Sequence, residues 1–200
     1  FVAVGTFFVL SGFVLARGYA STRWERHSLV RYAAARVARI YPVYFLSLVV
    51  VAPFVYEDLF ARMPARLAGA RAFLLIDYTM LLQGWTGTLP VHWNTPAWSL
   101  SCEVFFYLCF PLVLMLWRCT GWKRSSATAV AALALPVLLP AAGLPETWKP
   151  LVHLGDFLLG MAVAGLFDAA LAWRPRLAGR GVWFYAPAGI AAAALVSFST

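Results

Sequence analysis

From Pro96 to Trp117 the chain is apolar enough to cross a bilayer, yet this run contains one carboxylate, Glu103. Twenty residues of helix span about 30 Å, the hydrocarbon thickness of a membrane. An acid inside such a helix costs roughly 2.5–3.5 kcal/mol on insertion scales, so it faces a partner or a watery cavity. The run opens as a helix should: Thr95 is a candidate N-cap, and Pro96 stands at the first helical position, where its missing N–H costs nothing. At helical spacing Ser99, Glu103 and Tyr107 share one face, a polar stripe on a greasy rod. Two readings follow. Glu103 pairs with an arginine and locks two helices together, or it serves a reaction or binding site; the spacing names no reaction.

Hydrophobic residues make up 62% of the 200 residues and charged ones 12%, and mean hydropathy is +0.77. Such a balance excludes an ordinary soluble domain. The expected fold is all-α, a polytopic membrane bundle forming one domain over residues 1–200. Length allows about six crossings, expected at 1–16, 42–56, 98–117, 127–144, 151–167 and 183–200. Both ends fall inside apolar runs and no initiator Met is present, so the chain is expected to be a piece of a longer protein. Cys102, Cys109 and Cys119 lie in or beside one apolar helix, as reduced core cysteines do, and no metal-ligand pairing is visible.

The net charge of +8 is laid out by topology and not as the basic–aromatic face of a nucleic-acid binder. Residues 17–39 hold six arginines, and Ser28 is a candidate cap for a helix there. Arg36 and Arg39, three apart, share a face. They are either membrane-boundary arginines facing lipid headgroups or a bidentate clamp for a phosphate-bearing ligand. Tyr41-Pro42 either kinks this helix or begins the next. The segment 73–82, with Asp77 at its centre, is too short for a crossing and reads as an interfacial or re-entrant helix. Trp85 and Trp93 read as interface anchors and His92 as a loop histidine. Gly5, Ser11 and Gly12, and later Gly160 and Ala164, permit close helix approach. Asp156 is a second acid near a helix entrance. If 57–95 stays on one side, the loops 17–41, 118–126 and 168–182 share the other. Twelve of the sixteen Lys and Arg lie in those three loops, which the positive-inside rule assigns to the cytoplasm.

These residues resemble acyltransferase family 3, membrane enzymes that O-acylate cell-surface carbohydrates. Phe7-Phe8-Val9-Leu10-Ser11-Gly12-Phe13 is similar to that family's second-helix signature. Arg36-Val37-Ala38-Arg39-Ile40-Tyr41-Pro42 is similar to its Arg-x-x-Arg-Ile-x-Pro segment. Trp98-Ser99-Leu100-Ser101-Cys102-Glu103 with Phe106-Tyr107 and Pro111 is similar to its Trp-Ser-Leu-x-x-Glu helix, and Phe157-Leu158-Leu159-Gly160-Met161 to a later Phe-x-x-Gly-Met segment. Four motifs in order over about 160 residues carry the resemblance. Gly5 departs from it, standing where many relatives carry an acid. The family's first helix, with its catalytic His, is expected upstream, and the piece alone is expected to be inactive.

The resemblance implies transfer of an acyl group, acetyl in the simplest case, from acyl-CoA to a hydroxyl of a carbohydrate or lipid-linked glycan in a bacterial cytoplasmic membrane. Acetyl-CoA enters as the donor substrate, and no permanently bound cofactor is expected. Arg36 and Arg39 would hold the CoA at the cytoplasmic face, and Glu103 would be catalytic. Trp98 and Ser11 would line or brace the site, with Asn94 and Tyr107 completing the candidate lining. The residues themselves leave two other classes open: a permease for an anionic metabolite, and a scaffold with buried ion pairs.

Overall fold

Glu103 does sit in a long apolar helix, and that helix follows a short tight turn instead of a capped start. The computed structural model describes residues 2–57, 68–86, 93–117, 121–143 and 147–173. Among them run the helices α1 (Val2–Gly18), α2 (Arg26–Tyr56), α3 (Ala68–Thr79), α4 (Gln83–Thr86), α5 (Trp98–Trp117), α6 (Gly121–Ala141), α7 (Lys149–Val152) and α8 (Leu154–Trp173), with no strand among the described residues. Among the described residues three stretches are long and apolar enough to cross a membrane: Arg26–Tyr56, Thr95–Leu116 and Lys149–Leu171. Ala3–Gly18 and Ser125–Pro136 are apolar but shorter. Helices of this length and composition are those of an integral membrane protein. The span expected at 183–200, and also His92 and Cys119, lie outside the described residues.

The expected boundaries shift in three places. Residues 17–41 are not a loop, because α2 begins at Arg26 and continues through Pro42 and Pro53. Pro42 therefore does not start a new helix; in a membrane, neighbouring groups re-satisfy the carbonyls a proline frees. Glu25, not Ser28, occupies the N-cap of α2, without a side-chain cap bond. Ahead of α5, Thr95–Ala97 form one 3-10 turn capped by Asn94, which likewise makes no side-chain cap bond, so Thr95 is not the cap.

The helices gather into two units. One comprises Phe1–Thr22, Cys109–Leu144 and Leu151–Thr200; the other comprises Arg23–Leu108 and Pro145–Pro150. Inside the first, α8 packs against both α1 and α6. The α1–α8 approach is backbone to backbone: a Cβ built on Gly160 would stand 1.9 Å from the Val9 carbonyl oxygen, and one on Gly12 would stand 2.1 Å from that of Phe157. Only glycine admits such closeness, the device membrane helices use in place of a hydrophobic driving force. Phe13 meets Phe167 edge-on, and Arg17 Nε lies 3.3 Å from Asp168 Oδ1.

Within the second unit, α3 is only about 18 Å long, too short to cross, as expected. Its end is built as a Schellman motif: Leu82 N–H donates to the Asp77 carbonyl and Leu81 N–H to that of Tyr78. Leu81 takes the left-handed position (φ 55°) that glycine usually fills, at a strain of roughly 1–2 kcal/mol. The carbonyls of Tyr78 and Thr79, at the end of the helix, also accept the phenol hydroxyls of Tyr44 and Tyr41 on α2, the latter at 2.7 Å. Outward, α2 shows Val43, Leu46, Val50 and Phe54, the apolar face a lipid-exposed helix needs.

Replacing Gly12 by Ala should destabilise the first unit by about 1–3 kcal/mol through overpacking. The measurement is the thermal midpoint of the detergent-solubilised protein, which should fall by several degrees; an unchanged midpoint would contradict the backbone contact.

Candidate functional site

Pro111 lies inside α5 and has no N–H to give the carbonyl of Tyr107, four residues back. The Tyr32 hydroxyl, on α2, donates to that carbonyl at 3.1 Å. This bond ties the Arg36 turn of α2 to the Glu103 turn of α5. Glu103 is 3% exposed, and the Tyr107 hydroxyl donates to its Oε1. The Arg36 guanidinium lies 5.4 Å from the Tyr107 ring centroid and 5.6 Å from that of Tyr32, within cation–π range. Arg39, the exposed member of the pair, and half-buried Arg36 both act electrostatically on Glu103. A buried carboxyl with a phenol donor, flanked by two guanidinium groups, can hold a phosphate-bearing ligand and manage a proton.

Of the site residues expected from sequence, the structure brings Glu103, Tyr107, Arg36 and Arg39 together in the second unit. Ser99 does not join them: its hydroxyl turns back to the Pro96 carbonyl at 2.9 Å. Trp98 is half-buried, and Lys149 Nζ lies 4.4 Å from its ring centroid. Asn94 points its amide to Ser47 Oγ at 2.9 Å. Ser11 belongs to the first unit, half-buried on α1. The expected interface anchors have inner partners. Trp93 Nε1 donates to the Leu48 carbonyl at 3.0 Å, and Trp85 packs against Phe105 and Trp148.

Sequence reasoning missed Tyr32, although a proline in α5 signals a freed carbonyl four residues earlier. It also missed a second polar cluster around Asp77, which is fully buried. Thr86 Oγ1 donates to Asp77 Oδ1 at 2.9 Å. Burial pushes the Asp77 carboxyl above its ordinary 3.8, against the smaller lowering effect of that hydroxyl. Burial also raises the neighbouring Tyr78 phenol.

Comparison with known proteins adds an independent line. A family model described as an acyltransferase domain matches residues 1–200. The chain is 31% identical over 193 residues to "Acyltransferase MdmB" of Streptomyces mycarofaciens, covering 86% of this chain and 48% of that protein. It is 30% identical over 159 residues to "Protein 2 in picA locus" of Rhizobium radiobacter, covering 71% and 78%. "Nodulation protein 10" of Rhizobium leguminosarum is 29% identical over 147 residues, covering 66% and 37%. The chain thus spans about half the length of the Streptomyces relative. No solved structure matches.

Two outcomes follow. Tyr32→Phe leaves the Tyr107 carbonyl unsatisfied and should cost about 1–3 kcal/mol, read as a lower thermal midpoint; an unchanged midpoint would show that bond to be dispensable. For Asp77, the folded value lies above the unfolded one, so its contribution to stability is complete below 3.8 and is lost as pH rises through the raised value. Asp77→Asn should abolish that loss, so a pH series of midpoints should show wild type falling relative to the variant. Parallel curves would contradict the shift.

Proposed function

Because the chain belongs to the acyltransferase domain family, we propose that it forms part of an integral-membrane O-acyltransferase. In this reading it moves an acyl group, acetyl in the simplest case, from acyl-CoA to a hydroxyl of a cell-surface carbohydrate or lipid-linked glycan. The observation that carries the reading is the buried Glu103 carboxyl, hydrogen-bonded by Tyr107 and flanked by Arg39 and Arg36. Attack of the acceptor oxygen on the thioester carbonyl gives a tetrahedral oxyanion. Its collapse breaks the C–S bond, and the CoA sulfur leaves as thiolate and takes a proton. Such chemistry needs a group to receive the hydroxyl proton and positive charge near the oxyanion and the CoA phosphates.

Glu103 handles the acceptor proton, directly or by orienting the base, and Tyr107 fixes its rotamer. Arg36 and Arg39 grip CoA phosphate, with Arg36 held against the faces of Tyr32 and Tyr107. Trp98 and Asn94 line the acceptor route. We place the enzyme in a bacterial cytoplasmic membrane with about six crossings within this chain. The arginine-rich first half of α2 and the basic segments 118–126 and 168–182 then face the cytoplasm, by the excess of basic residues there.

In the full-length protein, Glu103→Gln should abolish acyl transfer while leaving membrane insertion and acyl-CoA binding intact. Wild-type transfer by that variant would remove Glu103 from the chemistry. Arg36→Ala and Arg39→Ala should each raise the acyl-CoA KM about tenfold or more, as expected for loss of a charge-assisted phosphate contact. Unchanged KM in both variants would refute the clamp.

A further inference from the structure

A second set of buried polar groups lies in the same unit as Glu103, and the acid–arginine site does not use it. Asp77 is 0% exposed and Gln83 is 8% exposed. Four donors around them are already engaged. Thr86 gives its hydroxyl proton to Asp77 Oδ1 at 2.9 Å. Tyr44 gives its own to the Tyr78 carbonyl, and Gln83 Nε2 donates to Tyr44 Oη at 2.7 Å. The Trp93 N–H donates to Tyr78 Oη at 3.1 Å. Two acceptor atoms are left over among the described residues, Asp77 Oδ2 and Gln83 Oε1, both buried with no hydrogen-bond partner. A buried acceptor without a donor costs about 1–3 kcal/mol. Two in one cluster, beside a leucine held at positive φ, mark a place where the fold forgoes stability, and such places gather at binding sites.

The geometry points to this cluster as the subsite for the acyl acceptor, which donates two hydroxyl groups to Asp77 Oδ2 and Gln83 Oε1. The inference rests on the acyl-transfer reading and deepens it. A neutral polyol such as a sugar ring fits best. One carboxylate with one oxygen already engaged is a poor cation cage, since magnesium and calcium take six or more oxygen ligands. Two O–H donors, by contrast, need only the two acceptors on offer. Aromatic rings flank the cluster: Tyr78 and Trp93 have centroids 5.8 Å apart, and Tyr41 meets Tyr44 edge-on at 6.3 Å. Apolar ring faces with polar tips are the usual lining of ligand sites. Position along the helices agrees as well. Tyr44, which receives the Gln83 amide, stands five residues after Arg39, a rise of about 8 Å along α2. Gly84, next to Gln83, donates its N–H to Ser101 Oγ at 3.2 Å, two residues before Glu103. The hydroxyl-binding cluster thus lies within about two helical turns of the CoA-gripping arginines along α2 and beside the Glu103 turn of α5.

The test uses the full-length protein in liposomes, acetyl-CoA as donor and a series of methyl glycosides as acceptors. Asp77→Asn, nearly isosteric, should raise the acceptor KM about tenfold or more, the scale of a lost buried hydrogen bond to a substrate hydroxyl. Its acetyl-CoA KM and acceptor-free thioester hydrolysis should stay at wild-type values. Gln83→Leu should do the same. Equal acceptor KM in wild type and Asp77→Asn, or a parallel loss of donor KM and hydrolysis, overturns the subsite. Should wild type neither hydrolyse nor transfer acetyl, the acyl-transfer reading is what fails. Tryptophan fluorescence titration with the same methyl glycosides then decides the subsite separately: quenching weakened about tenfold in Asp77→Asn supports it, and no quenching or equal quenching overturns it.

Discussion

One hydrogen bond sets the geometry on which the candidate site depends. Pro111 withholds a backbone donor inside an apolar helix, where no water replaces it. The carbonyl it strands at Tyr107 is taken by Tyr32 from the neighbouring helix. The same residue, Tyr107, then directs its side chain to Glu103. Its main chain is thereby fixed by α2 while its hydroxyl fixes the acid. Arg36 rests on the rings of both tyrosines, so helix register, acid rotamer and cation position are coupled through a single pair of residues.

The contact between α2 and α3 obeys the same rule. Where the short helix α3 ends, α2 supplies phenols: Tyr44 for the Tyr78 carbonyl and Tyr41 for that of Thr79. This economy is what a low-dielectric surround demands. Against it, the two unpaired acceptors at Asp77 and Gln83 stand out. The first unit contrasts with both, since α1 and α8 meet through glycine-permitted backbone contact, with the Arg17–Asp168 ion pair beside it.

Much of this was legible in the sequence, for reasons that differ by residue. A lone acid in a twenty-residue apolar run declares itself through its insertion cost, and two arginines three apart declare a shared face; both reach the observed cluster. Helix limits were harder, because Pro42 is a breaker in water and tolerated in a packed membrane helix, so α2 runs through it. Ser99 shares the face of Glu103 by spacing, yet a hydroxyl next to a proline-containing turn finds the Pro96 carbonyl first. Tyr32 and Gln83 meet their partners across 75 and 39 residues respectively. No periodicity within one helix encodes such a pairing.

The central proposal is that the Tyr32–Arg36 turn of α2 and the Glu103–Tyr107 turn of α5 receive the acyl-CoA. The most direct measurement is photo-crosslinking of the full-length protein, in membranes, with an acyl-CoA carrying a diazirine in its acyl chain, followed by peptide mapping. Label within residues 30–40 and 98–108, competed away by unlabelled acetyl-CoA, is the predicted result. Competable label confined to other helices, with these two segments unmarked, would contradict it.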